Sequence, residues 1–167
     1  MPSTTDQPER ILFNASLFIG ALLAGDPRHD EARPLVEAAR RGEIRGCTTA
    51  GILSEVYAAL TWEKTQPCQD PTEAAETVRL LVEAPSAIEV LDVGYNAALR
   101  LLGLAAAHGL SARRIHDARH AAAALFAGVR MVYTYDPDDW REFEVDGLQI
   151  AGPESTFAKL VRTPSSP

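Results

Sequence analysis

Apolar positions along the chain follow two alternating rhythms. Short runs of strand character are separated by longer stretches in which apolar residues return at helical spacing. Residues 10–14 predict a first strand. Residues 16–24 predict a helix with Leu17, Ala21 and Ala24 on one face, and residues 29–41 an amphipathic helix after a turn. "IRGCTT" reads as a second strand and "TAGILSEVYAALTW" as a helix capped by Thr48 or Thr49. The clearest internal loop is 63–71, with two prolines and few apolar residues; Pro71 or Thr72 then opens the helix "PTEAAETVRLLVEA". "AIEVL" is a third strand. Two helices follow, one ending at Gly109 and one running from a Ser111 cap to Gly128. "VRMVYTY" is a strand, "DPDDW" a turn and "LQIAG" a short last strand. Strands alternating with helices imply an α/β fold, a parallel sheet covered on both faces. Ligands of such sheets sit outside the carboxyl ends of the strands. Asn14 ends the first strand and Asp136 the "MVYTY" strand, so both fall on that edge.

Composition narrows the class. The 167 residues suit one domain with a real core, 46% hydrophobic and 23% charged. Polar residues 1–9 read as a flexible N-terminal arm, 10–152 as the domain and 153–167 as a C-terminal tail. The formal net charge of −7 argues against nucleic-acid binding by bulk attraction, so any such contact needs a local basic patch or a metal. Two cysteines, Cys47 and Cys68, form no metal-ligand spacing or disulfide framework, which fits free thiols in a cytoplasmic protein. The apolar stretch 11–24 has the length of a signal-peptide core, but Asp6 and Glu9 precede it and Asn14 and Ser16 interrupt it. No segment reaches the roughly 18 apolar residues that span a bilayer.

Four polar residues bear on chemistry. Taken singly each has an ordinary explanation. Asn14 would cap a helix, and Glu55 sits between Ile52 and Ala59 at the border of an apolar face. Asp117 shares a small-residue face with Ala121 and Ala124, where it could pair with Arg113 or favour a helix start. Asp136 is a favoured turn residue. Together they place three carboxylates and one amide where an α/β sheet exposes its carboxyl edge. Carboxylates brought that close do not all ionise without a cation. A hard divalent ion with oxygen ligands resolves the conflict, and it can activate water and stabilise a phosphate in transit.

The segments "ILFNASLFIGALL", "LSEVYAAL", "LSARRIHDARHAAAAL" and "VYTYDPDDW" resemble, in that order, the four acid-bearing elements of PIN-domain ribonucleases of the VapC toxin kind. The resemblance runs from about residue 10 to residue 152. It implies a PIN-like three-layer sandwich, a small parallel sheet of about four to five strands flanked by helices. It also implies a Mg²⁺- or Mn²⁺-dependent endoribonuclease, a homodimer, an RNA substrate and a cognate antitoxin that inserts near the acidic pocket. Glu55, Asp117 and Asp136 fall on metal-site acids, with Asp139 a further contributor. Ser16 and Thr134 match small hydroxyl residues that would hold a metal-bound water or a phosphate oxygen. Asn14 is the departure, because the family has aspartate there. An amide keeps the shape and one acceptor but loses the charge, so metal affinity and catalysis should fall. Either a deliberate Asp→Asn replacement or a degenerate natural member fits. The intact flanks and remaining acids favour the replacement.

Arg113, Arg114 and Arg119, with His120, are candidate nucleic-acid contacts on the Asp117 helix, and Arg28, Arg40, Arg41 and Arg45 form a second basic region. A structural role suits His120 as well. Tyr57, Trp62 and Trp140 read as buried rather than base-stacking aromatics. Two other readings stay open: a non-catalytic PIN-fold module that binds RNA or a protein, which Asn14 favours, and a flavodoxin-like regulatory domain, which lacks a phosphate loop.

Overall fold

The computed structural model describes residues 9–92 and 94–154; most of the expected arm (1–8) and tail (155–167) lies outside the described residues. Five strands, β1 (Ile11–Phe13), β2 (Gly46–Thr49), β3 (Glu89–Leu91), β4 (Met131–Tyr133) and β5 (Gln149–Ala151), form one parallel sheet in the order β3-β2-β1-β4-β5. Six helices connect them: α1 (Ala15–Leu22), α2 (His29–Arg40), α3 (Ala50–Thr61), α4 (Pro71–Val82), α5 (Tyr95–His108) and α6 (Arg114–Phe126). From β1 through β2 to β3 the chain steps in one direction; from β3 to β4 it reverses. Right-handed crossovers then put α1–α4 on one face and α5–α6 on the other. The packing agrees: α1 lies against α2 and α3, α3 against α4, and α5 against α6. The three-layer α/β sandwich expected from the pattern is therefore the fold.

The sheet is short and its centre is dry. Leu12, Phe13, Cys47 and Val132 are fully buried, joined by Leu17, Phe18, Ile52, Val56 and Leu60 from the helices. Alanines let α6 come close: Ala118 and Ala121–Ala124 are all buried. Gly46 serves the same end, since a Cβ there would stand 2.9 Å from the Ala39 Cβ and 3.4 Å from the Phe13 ring.

Element boundaries hold to within a few residues, with informative exceptions. Thr49 is the cap of α3, its Oγ1 accepting the Ile52 N–H at 3.1 Å. Asp70, inside the expected loop, caps α4 through the Thr72 and Glu73 N–H groups, with Pro71 at the first helical position. Ser111 does not cap α6. A turn with Ala112 at φ 49° intervenes, and the helix begins at Arg114. Two 3₁₀ helices, Pro137–Asp139 and Arg141–Asp146, replace the single expected turn before β5. Trp140 is fully buried as expected, but Trp62 is 57% exposed beside the Lys64 ammonium.

Truncating Leu12 to alanine on the central strand should destabilise the protein by roughly 2–5 kcal/mol, and Gly46→Ala by roughly 1–3 kcal/mol through overpacking against Ala39. Urea titration checks both; loss of less than 0.5 kcal/mol in either (about the scatter of a surface change) would contradict this packing.

Candidate active site at the carboxyl edge of the sheet

The order reversal lies between β1 and β4, which is where a doubly wound sheet opens a crevice. β1 and β4 pair in register, Phe13 opposite Tyr133, and the next residues, Asn14 and Thr134, continue the pairing through Asn14 N–H to the Tyr133 carbonyl at 3.0 Å. Asn14 is nearly buried, and its side-chain Nδ2 donates to Thr134 Oγ1 at 3.1 Å. It precedes α1 without capping it by a side-chain bond. Thr134 Oγ1 also accepts the Asp136 N–H at 3.0 Å, and Ser16 Oγ accepts the Tyr135 N–H at 3.1 Å. Ser16 and Thr134, expected to meet water or phosphate, thus stitch the first helix to the turn after β4. An amide nitrogen at position 14 makes one of those stitches; an aspartate could only accept there.

Asp136 is exposed at the start of the turn, and its charge reaches the Arg28 guanidinium. Asp139, also exposed, is pushed above the usual carboxylate range by desolvation and by its neighbours Asp136 and Asp138. Asp117, in the first turn of α6, is half-buried. Burial first and Asp139 second push its carboxyl from 3.8 up to about 6; Glu55 adds to the rise and His120 and His116 oppose it. Asn14, Thr134, Asp136, Asp139, Asp117 and Glu55 are therefore linked in sequence along one edge, each to the next by a hydrogen bond or by a felt charge.

Glu55 is held from α6. His120 Nε2 donates to Glu55 Oε1 at 2.7 Å, and Arg119 Nη2 lies 3.8 Å from the same oxygen. His120 is 1% exposed and its other nitrogen meets Thr49 Oγ1 at 3.0 Å. Both ring nitrogens are thereby engaged inside the protein, which removes it from the candidate nucleic-acid contacts. Arg113, Arg119 and His116 line a cavity of about 430 Å³ with Glu55 and Asp117. Arg114 instead pairs with Glu142. In the second basic region Arg28 pairs with Asp26, Arg40 with Glu37 and Arg41 with Glu43, so its charge is largely compensated locally.

The structure adds a cluster that spacing did not flag. Arg28 donates two side-chain hydrogen bonds to Asp26 and stands 5.0 Å over the ring of Tyr135, whose hydroxyl donates to Glu31 at 3.2 Å. It closes the flank of the Asp136 turn. Only the adjacency of Tyr135 to Asp136 hinted at it.

The oxygen donors suit a hard divalent cation. Among the described residues, however, no three His, Cys, Asp or Glu side chains are arranged to hold a metal ion.

A family model described as PIN domain matches residues 11–145. Solved structures share the fold. A sarcin-ricin-loop-cleaving toxin, VapC20 of Mycobacterium tuberculosis, superposes with a TM-score of 0.62 at 19% identity, covering 83% of this chain and 96% of that one. VapBC2 of Rickettsia felis, bound to a promoter DNA fragment, gives 0.61 at 11% identity over 87% and 99%. VapBC-5 of Mycobacterium tuberculosis gives 0.53 at 24% identity over 87% and 98%. No curated protein matches. No helix among the described residues is long and apolar enough to cross a membrane.

The raised Asp117 carboxyl sets a pH dependence. A carboxyl whose folded pKa exceeds its unfolded value favours folding only while protonated, so its contribution is lost as pH rises from about 4 through about 6. In chelator, Asp117→Asn should be more stable than the parent at pH 7 by roughly 1–2 kcal/mol after solvent screening, and the gap should close near pH 4. Thermal melts at both pH values check this; equal stability at pH 7 would show that the Asp117 carboxyl is not held above its ordinary range.

Proposed function

This chain belongs to the PIN domain family, and from that premise we propose that it is an RNA endonuclease of the VapC toxin kind whose cleavage is weakened by Asn14. Members of the family are generally metal-dependent nucleases, and divalent ions are their usual cofactors. The single observation that carries the reading of weakness is the Asn14 Nδ2 bond to Thr134 Oγ1. The site that would present a central carboxylate presents a donor, engaged with its neighbour. Glu55, Asp117, Asp136 and Asp139 remain as the acidic rim that a metal-dependent nuclease would use, with Mg²⁺ or Mn²⁺ as the expected ion. Arg113 and Arg119, on the cavity beside Glu55 and Asp117, suit a role in positioning the RNA phosphates.

Partners follow the same reading. The solved neighbours include toxin–antitoxin complexes, VapBC2 among them, which supports a cognate antitoxin for this chain. A homodimer is supported by the outer face of α5, where Tyr95, Leu99 and Leu102 are exposed at 77%, 48% and 62%. A cytoplasmic location agrees with the free thiols Cys47 and Cys68. The second reading, a non-catalytic PIN-fold module that binds RNA or a protein, is favoured by Asn14, an amide where the resemblance implies an acid.

Restoring the charge tests both. Asn14→Asp should cleave structured RNA in Mn²⁺ or Mg²⁺ roughly 10²-fold or more faster than the parent chain, and chelator should abolish the gain. A parent that cleaves as fast as Asn14→Asp would overturn the proposed weakness. Two inert proteins that still bind RNA would favour the non-catalytic module.

A further inference from the structure

One polar side chain in the core has no part in the function proposed so far. α6 buries a face of alanines, Ala118 and Ala121–Ala124, and in the midst of them a single imidazole, that of His120. An apolar side chain would pack there without needing partners. A buried ring requires one for each nitrogen, and the fold supplies both. Thr49 Oγ1, at the first turn of α3, receives the Ile52 N–H and lies 3.0 Å from His120 Nδ1. Glu55, nearly two turns further along the same helix, takes the Nε2 bond at 2.7 Å.

These contacts fix the ring's state and direction. A carboxylate is an acceptor only, so Nε2 carries the hydrogen. In the neutral ring the Thr49 hydroxyl then donates to Nδ1, while its lone pair accepts from Ile52. The cap of α3 and the anchor of Glu55 are one connected network. Gly51 makes it possible: a Cβ there would stand 2.8 Å from His120 Cε1 and would collide with the Arg119 guanidinium. His120 and Arg119 both approach Oε1 of Glu55. The residue they hold lines the cavity that Glu55 shares with Asp117.

We propose that His120 is a positioning residue that, anchored on Thr49, fixes the Glu55 carboxylate at the cavity it shares with Asp117. It does not touch substrate; it acts through Glu55, and its value to cleavage rests on the ribonuclease reading. Groups of this kind, which orient an acid rather than react, change rate by about 10–100-fold when lost.

Two readouts test the proposal. In ¹⁵N-labelled parent protein, the His120 ring should show a protonated Nε2 and a slowly exchanging Nε2–H, and Glu55→Ala should speed that exchange roughly 10-fold or more. In the Asn14→Asp background with Mn²⁺, His120→Leu should lower kcat on RNA roughly 10-fold or more while KM stays within about 2-fold. His120→Gln, which keeps a donor and an acceptor, should recover most of it. Should His120→Leu fail to fold, Thr49→Val removes the anchoring hydroxyl at similar volume, and it should both speed the exchange and lower kcat. An unprotonated Nε2, exchange indifferent to Glu55→Ala, or full kcat in a folded His120→Leu would overturn the proposal. If Asn14→Asp cleaves no RNA, the ribonuclease reading fails instead, and the exchange measurement alone decides whether His120 holds Glu55.

Discussion

The in-register parallel pairing of β1 with β4 is the constraint from which the site follows. It is only three residues long, yet it lies at the reversal of strand order, and it ends with Asn14 beside Thr134. From that junction α1 departs on one side and the Asp136 turn on the other. Shifting the register by one residue would exchange the faces on which the fully buried Leu12 and Phe13 pack and would part Asn14 from Thr134, so the packing that fixes the sheet also fixes the polar edge. The side chains of Ser16, Thr134 and Asn14 then lock the edge with bonds across about 120 residues of sequence.

Charge balance along this edge decides what the site does. Burial first and the Asp139 charge second raise the Asp117 carboxyl, while Glu55 takes a hydrogen bond from His120 and faces Arg119 at 3.8 Å from within the chain. Asn14 removes a carboxylate from the middle of that arrangement and adds a donor. The result is a rim with one carboxylate fewer than the resemblance implies, Glu55, Asp117, Asp136 and Asp139 remaining as its acids. A weakened nuclease and an intact PIN fold are thus compatible, because the amide serves the sheet's edge as well as an acid would serve a metal.

Much of this was legible in the residues. The alternation of strand-like and helical runs led directly to the parallel sheet, and the strand ends led to Asn14 and Asp136. Asp117 was recognisable as a carboxylate on a face of alanines. Other features depend on contacts between distant parts of the chain and left no local trace. A structural role for His120 was readable beside a substrate contact, but not its partners, which are 65 and 71 residues away in Glu55 and Thr49. Ser111 carries the chemistry of a cap, but the turn at Ala112 displaces the helix start. Ser16 and Thr134 read as hydroxyls for a metal-bound water or a phosphate oxygen, and nothing local announced that each also accepts a backbone N–H, from Tyr135 and Asp136. The 3₁₀ segment at Arg141–Asp146 has no helical period to announce it.

The central claim is that the amide at position 14 leaves the rim short of a metal-ligand set. Calorimetric titration with Mn²⁺, comparing the parent chain with Asn14→Asp, tests it without reference to any substrate. The parent should show no saturable binding at concentrations where Asn14→Asp saturates with one or more ions. Equal Mn²⁺ affinity in the two proteins would contradict the claim.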